Sequence, residues 1–204
     1  MTQESKKMIL YASYISVLTI ALLISAKITT LWSLTFTVGA LSYAVTFAIT
    51  DTISEVYGRD EAKRLVYLGF VSYFMVIVYS QIAVYMPPAD FWKENQGAFE
   101  LVIGLVPRIV IASFISYTIS QYHDVWAFHF WKRKTNGKHL WLRNNLSTIS
   151  SQLIDTIIFV TIAFYGIVPN EVLLGMILGQ FLFKMGIAVI DTPFVYLLVS
   201  WLKK

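Results

Sequence analysis

Six ionisable side chains stand inside stretches that otherwise read as lipid solvent: Asp51, Glu55, Arg108, Asp155, Lys184 and Asp191. A charge at the bilayer centre costs at least ~2.5 kcal/mol even on the most lenient scale, so an intramembrane ionisable residue reads first as part of a solute or ion pathway. Asp155 and Lys184 are the deepest. Asp155 lies about nine residues into its apolar run, roughly 13 Å at the helical rise. Lys184 lies about thirteen residues into the next run, which points the other way. The two reach similar depth and are expected to face one central cavity, where a carboxylate accepts hydrogen bonds and an ammonium donates them. The structural alternative is an ion pair that only holds two helices together, but a buried pair alone is a poor source of stability.

Around these charges small polar groups are dense. Ser147, Ser151 and Asp155 are successive i+4 positions, and Thr148, Gln152 and Thr156 repeat that spacing on an adjoining face. Ser113, Ser116 and Ser120 form another stripe. Close helix packing through small residues accounts for the serines. It does not account for Arg108, Gln152 and Asp155 at mid-depth. Asp51 and Glu55 share a helix face at i,i+4. Asp51 is the better ligand candidate, while Glu55 sits near the boundary, where Arg59 is its expected partner. Asp191 lies near a membrane edge, beside Pro193, which is expected to break its helix. Asp124 and the histidines His123, His129 and His139 read as interfacial. The dipeptide Asp-Thr recurs at 51–52, 155–156 and 191–192, and the first two are placed as inverted repeats of three spans each would place them.

The elements that must hold these residues follow from composition. Of 204 residues, 57% are hydrophobic and 14% charged, against roughly a quarter charged in soluble domains, and the mean hydropathy is +0.64. The chain is expected to be an all-α membrane protein, a bundle of six transmembrane helices in a single domain spanning 1–204. The spans fall near 8–28, 34–57, 64–86, 99–130, 146–168 and 171–201. The first is too long and lacks the cleavage site of a signal peptide. Barrel alternation is absent.

Orientation follows from Lys and Arg. One side would hold Lys6, Lys7, Arg59, Lys63, Arg64, Lys132, Arg133, Lys134, Lys138, Arg143, Lys203 and Lys204, and the other only Lys27 and Lys93. Both termini are therefore expected in the cytoplasm, with the protein multi-pass in the inner (plasma) membrane. Trp32, Trp92, Trp126, Trp131, Trp141 and Trp201 fall near span ends, as an aromatic belt requires. Pro87 and Pro88 stop the third helix, Pro107 makes the start of the fourth irregular, and Gly58 can end the second. The loop at 131–143 is a basic anchor with a turn at Asn136-Gly137.

The same inventory excludes several classes. The net charge of +4 lies beside spans, not on a basic face with interleaved aromatics, so no nucleic-acid partner is expected. There is no cysteine and no metal-ligand spacing, so no metal site and no cofactor are expected. No nucleotide-binding loop, zinc-protease motif or nucleophile–base arrangement appears, so the chain is not expected to be an enzyme.

Four blocks in order carry a resemblance: TFAITDTISEVYGRDEAKR (46–64), PRIVIASFISYTISQYHDVWAFHFWK (107–132), STISSQLIDTIIFVTIAFYG (147–166) and GQFLFKMGIAVIDTPFVYLL (179–198). Over about residues 35 to 200 the chain resembles the queuosine-precursor transporter family, earlier described as vitamin uptake transporters. The resemblance implies six transmembrane helices and uptake of 7-cyano-7-deazaguanine and 7-aminomethyl-7-deazaguanine, for tRNA modification. It also implies a likeness to the substrate-binding subunits of energy-coupling-factor transporters. The matching positions are Asp51, Arg108, Gln152, Asp155 and Lys184. With Ser151 they form the expected substrate-facing set, while Glu55 and Asp191 are gating or structural.

A deazaguanine presents N1–H and an exocyclic amine along one edge, which a single carboxylate accepts together; Asp155 is the residue for that role. The carbonyl O6 needs a donor from Lys184, Arg108 or Gln152. Phe and Tyr rings can stack on the bicycle. Asp51 is left to meet an aminomethyl cation or to gate the cytoplasmic side. Two organisations are open: a stand-alone transporter, as monomer or homodimer, or a binding subunit served by a separate ATPase module.

Overall fold

The computed structural model describes residues 2–136 and 140–203, without side chains at 43–44, 59, 125, 128, 132, 140–145, 188–194 and 203. It is mostly helical. In chain order the elements are α1 (Gln3–Ile24), β1 (Ile28–Leu31), β2 (Leu34–Thr37), α2 (Gly39–Tyr57), α3 (Arg59–Tyr85), a 3-10 turn (Asp90–Trp92), α4 (Lys93–Ile103), α5 (Val106–Lys134), α6 (Leu140–Phe164) and α7 (Asn170–Lys203). Helices are the element that satisfies every backbone group within one apolar segment. Among the described residues five are long and apolar enough to cross a membrane: 3–24, 60–85, 90–131 (α4 and α5 taken together), 146–164 and 170–187.

The residues form two compact units. The first comprises Met1–Thr29, Thr37–Pro107 and Gly186–Lys204. In it α1 begins on a cap, with Thr2 accepting the backbone N–H of Ser5 at 3.2 Å. Its buried seam, Leu10, Tyr14, Leu18 and Leu22, repeats every fourth residue. Gly39 of α2 lies against Ala21 and Ser25 at the end of α1, and Tyr57 reaches Gln3 at the other end, so α1 and α2 are antiparallel. Gly58, at φ +90°, separates α2 from α3. Asp60 and Glu61 open α3, where carboxylates favour the helix dipole. Glu61 pairs with Lys7, accepts from Tyr11 at 2.7 Å and pairs with Arg64 at 3.0 Å. Tyr11 meets Glu61, and Thr19 meets Ser72 at 3.0 Å, so α1 and α3 are parallel. Tyr67, Phe74 and Tyr79 of α3 are exposed, a face suited to lipid. Lys6 Nζ donates to the carbonyl of Trp201 at 2.9 Å, which joins the two ends of the chain.

The second unit comprises Thr30–Phe36 and Arg108–Met185. Here α5 runs antiparallel to α6, tied by Arg108 at one end and His123 further along, and α7 is tied to α6 through Asp155 and Lys184.

Four features differ from the sequence expectation. First, residues 28–37 form a β-hairpin, not a loop followed by a span from residue 34. Ile-Thr-Thr-Leu and Leu-Thr-Phe-Thr are β-branched and aromatic segments around a two-residue turn. Trp32 and Ser33 take φ of +48° and +68°, as a type I′ turn demands at both central positions. Second, α1 stops at Ile24, short of residue 28. Third, the segment expected as one span at 99–130 is divided: α4 ends at Ile103 and α5 starts at Val106. Pro107 therefore falls in a first helical turn, where its missing N–H has no partner to lose. Fourth, α7 continues through Pro193 to Lys203.

Candidate functional site

Asp155 and Lys184 are brought together. Lys184 Nζ donates to Asp155 Oδ2 at 2.7 Å, with the two side chains 11% and 10% exposed. The pair bridges the middle of α6 and the middle of α7. One turn before Lys184, Gln180 is buried, a polar residue that the sequence reading passed over although it sits at i−4 from the lysine. Gln152, one turn before Thr156, is half-buried, and its carbonyl accepts from the Thr156 hydroxyl at 2.8 Å.

Beside the pair stands an aromatic stack that sequence reasoning also missed. Phe36 of β2 lies on Phe183 of α7 with ring centroids 4.0 Å apart and planes 13° from parallel. Phe36 is 1% exposed, while the tip of its hairpin, Trp32, is 86% exposed. The hairpin can lie this close because position 179 is glycine: a Cβ there would overlap the backbone of Thr35. Phe183 precedes Lys184 in sequence, so the stack and the ion pair share one turn of α7.

Arg108 lies at the C-terminal end of α6. Its Nε donates to the carbonyl of Ile162 and its Nη2 to the carbonyl of Tyr165, both at 2.6 Å. These are carbonyls that a helix end leaves without intrahelical partners, and a cation there also favours the dipole. No spacing rule shows this, because the acceptors are backbone atoms.

Ser151 is buried and lies one turn before Asp155. Its hydroxyl donates to the Ser147 carbonyl at 2.7 Å and is also directed at Asp124 Oδ1 at 3.2 Å. Its oxygen lies 3.1 Å from His123 Nδ1. His123 packs against Trp126, with centroids 5.7 Å apart. His123 and Asp124, read from sequence as interfacial, are half-buried and converge on α6. The order of groups is not that of a serine nucleophile. There the imidazole stands between hydroxyl and carboxylate; here the hydroxyl stands between the other two.

Asp51 and Glu55 belong to the first unit, where both are exposed. The side chains of Asp191 and His139, and that of Arg59, the expected partner of Glu55, lie outside the described residues. Among the described residues no cluster of three or more His, Cys, Asp or Glu is placed to hold a metal ion.

Comparison with known proteins gives two findings. A family model described as "putative vitamin uptake transporter" matches residues 37–198. A probable queuosine precursor transporter of Bacillus subtilis is 35% identical over 171 residues, 83% of this chain and 74% of that protein. The queuosine precursor transporter of Escherichia coli is 28% identical over 127 residues, 62% of this chain and 54% of its own length. A probable queuosine precursor transporter of Haemophilus influenzae is 30% identical over 128 residues, 62% and 51% respectively. The chain thus spans about half the length of the last two. No solved structure matches.

Proposed function

The chain belongs to the putative vitamin uptake transporter family, a family of multi-pass membrane transporters and not of enzymes, and from that premise we propose that it imports 7-deazaguanine precursors of queuosine and holds the base at Asp155 and Lys184. The observation that carries this reading is the buried ion pair between α6 and α7. A guanine-type edge presents, in a row, the acceptor O6 and the donors N1–H and the exocyclic amine. A lysine beside a carboxylate presents the complement: a donor for O6 and two acceptor oxygens for the donors. Without a base the two side chains satisfy each other. With a base between them each keeps a partner, so neither is left buried and unpaired, which costs more for a charged group than the ~1–3 kcal/mol of a neutral one. A flat solute lacking this edge leaves at least one group unpaired and is rejected by that amount.

Phe183, one face of which is covered by Phe36, offers its other face for a bicyclic base to stack on. Gln152 and Ser151, one turn or less from Asp155, remain on the substrate side of α6. Arg108 holds the end of the helix that carries Asp155.

The protein lies in the cell membrane with both termini cytoplasmic, which the distribution of Lys and Arg supports. The contact of Lys6 with the Trp201 carbonyl supports a reading in which the two ends share one side and the number of crossings is even. With the five helices above, α2, 19 residues or about 28 Å long, makes the sixth.

The test is uptake in cells that can neither make nor import 7-deazaguanines. Expression of this chain alone, with either precursor supplied, is expected to restore queuosine in tRNA. Asp155→Asn at equal membrane abundance is expected to abolish it. Full activity of Asp155→Asn would place the base elsewhere.

A further inference from the structure

Three groups able to carry a proton meet one turn from Asp155, and the reading above gives two of them, His123 and Asp124, no task. Resting on that reading, we propose that His123, Asp124 and Ser151 form a proton-binding site that couples uptake of the base to the proton gradient.

The geometry is that of a short relay. Ser151 has one hydroxyl proton and faces two neighbours that titrate, His123 Nδ1 at 3.1 Å and Asp124 Oδ1 at 3.2 Å. A proton arriving on the imidazole passes in one concerted step. The Nδ1–H bond breaks as the serine oxygen gains that proton, and the proton the serine already held moves to the Asp124 carboxylate. The imidazole ends neutral, the carboxylate ends as the acid, and the serine is unchanged. A purely structural serine on α6 has its needs met by the Ser147 carbonyl at 2.7 Å. It gains nothing from two titratable groups that α5 places on it, both half-buried within an apolar helix.

The relay is linked to the substrate through α6. Ser151 and Asp155 are one turn apart, about 6 Å of rise, and both are buried. A proton bound at His123 or Asp124 adds a positive charge near Asp155. With Asp124 neutralised, the surroundings of Asp155 carry one negative charge fewer, the balance between Asp155 and Lys184 shifts, and the base can enter between them. The linkage is reciprocal: a base that occupies Asp155 changes the proton affinity of the relay by the same factor. Among the described residues, the titratable groups nearest in sequence on α5 are Tyr117, Tyr122 and His129, of which Tyr122 and His129 are exposed. α6 contributes Asp155, α7 contributes Lys184, and the hairpin segment 30–36 contributes none.

The full chain in proteoliposomes tests this with labelled 7-cyano-7-deazaguanine. Counterflow measures movement of the base alone. Accumulation against a clamped zero membrane potential, with the interior one pH unit more alkaline, measures coupling. One proton per neutral base gives about tenfold accumulation per pH unit, collapsed by a protonophore. The wild type is expected to show both. Asp124→Asn and His123→Gln are each expected to keep counterflow within about twofold and to bring accumulation to unity. Two variants guard against a folding defect at either position. Counterflow in the wild type with no response to the gradient overturns the coupling and leaves the substrate reading standing, and so does accumulation retained in both variants. No counterflow of any deazaguanine in the wild type overturns the substrate reading, and the coupling with it.

Discussion

At the scale of single residues, the question is whether Asp155 and Lys184 are there to hold helices or to hold a solute, and stability separates the two. Removing one partner of a buried pair leaves an uncompensated charge and costs about 3–5 kcal/mol, whereas replacing both with apolar residues of similar size is often neutral or stabilising. Lys184→Met alone is therefore expected to lower the thermal midpoint of the purified protein, and Asp155→Leu with Lys184→Met to restore it. Uptake of queuosine precursors is expected to be lost in both. Recovery of uptake with stability would make the pair a structural one. Arg108 gives the opposite profile. It donates two hydrogen bonds to carbonyls at the end of α6, and charged donors contribute about 1.5–3 kcal/mol each. Arg108→Gln is expected to lower the thermal midpoint, with uptake falling only as far as the amount of folded protein falls. A loss of transport per folded molecule would return Arg108 to the substrate. That Asp155 and Lys184 meet was legible in the sequence, because counting residues along two opposed helices is enough to compare their heights. The partners of Arg108 were not, because they are main-chain oxygens. The meeting of His123 and Asp124 with Ser151 was not legible, because it depends on how α5 is turned toward α6, and no periodicity within one helix contains that angle.

At the scale of elements, the helices were legible and the hairpin was not. A hydropathy window averages over about twenty residues, so the period-two pattern of residues 28–37 disappears into the apolar runs on either side. The turn also lacks the usual Asn-Gly signature, since Trp32 and Ser33 occupy the left-handed positions. Gly179 was the one readable clue, a residue without a side chain in mid-helix, and its reason lies in a strand about 140 residues earlier in the chain. Seating of the hairpin on α7 depends on that glycine. Gly179→Val is expected to lift β2 from the helix, separate Phe36 from Phe183 and cut uptake by tenfold or more. α7 itself should persist, because valine costs a helix less than glycine does. Circular dichroism unchanged within error, with uptake reduced, is the expected pair of results. Wild-type uptake in Gly179→Val would remove the hairpin from the substrate site.

At the scale of the whole molecule, topology rests on parity. An odd number of crossings separates the termini of a chain, yet Lys6 bonds the Trp201 carbonyl within one compact unit. Among the described residues five helices qualify by length and hydropathy, and in the six-span proposal α2 is the added crossing. α2 also carries Asp51 and Glu55, which is why its hydropathy is the least decisive and why direct labelling is the right measurement. The absence of cysteine makes the experiment clean, since each introduced thiol is the only one. Ser33→Cys and Asp60→Cys flank α2, while Asn95→Cys in the first turn of α4 and Thr135→Cys just beyond α5 mark the two ends of the α4–α5 segment. A membrane-impermeant maleimide is expected to label positions 33 and 95 in intact cells, and positions 60 and 135 only after the membrane is opened. Labelling of 33 and 60 from the same side would mean that α2 does not cross. The termini would then have to lie on opposite faces, the Lys6–Trp201 contact could not form in the membrane, and the inside excess of Lys and Arg would lose the group at 59–64 that follows α2.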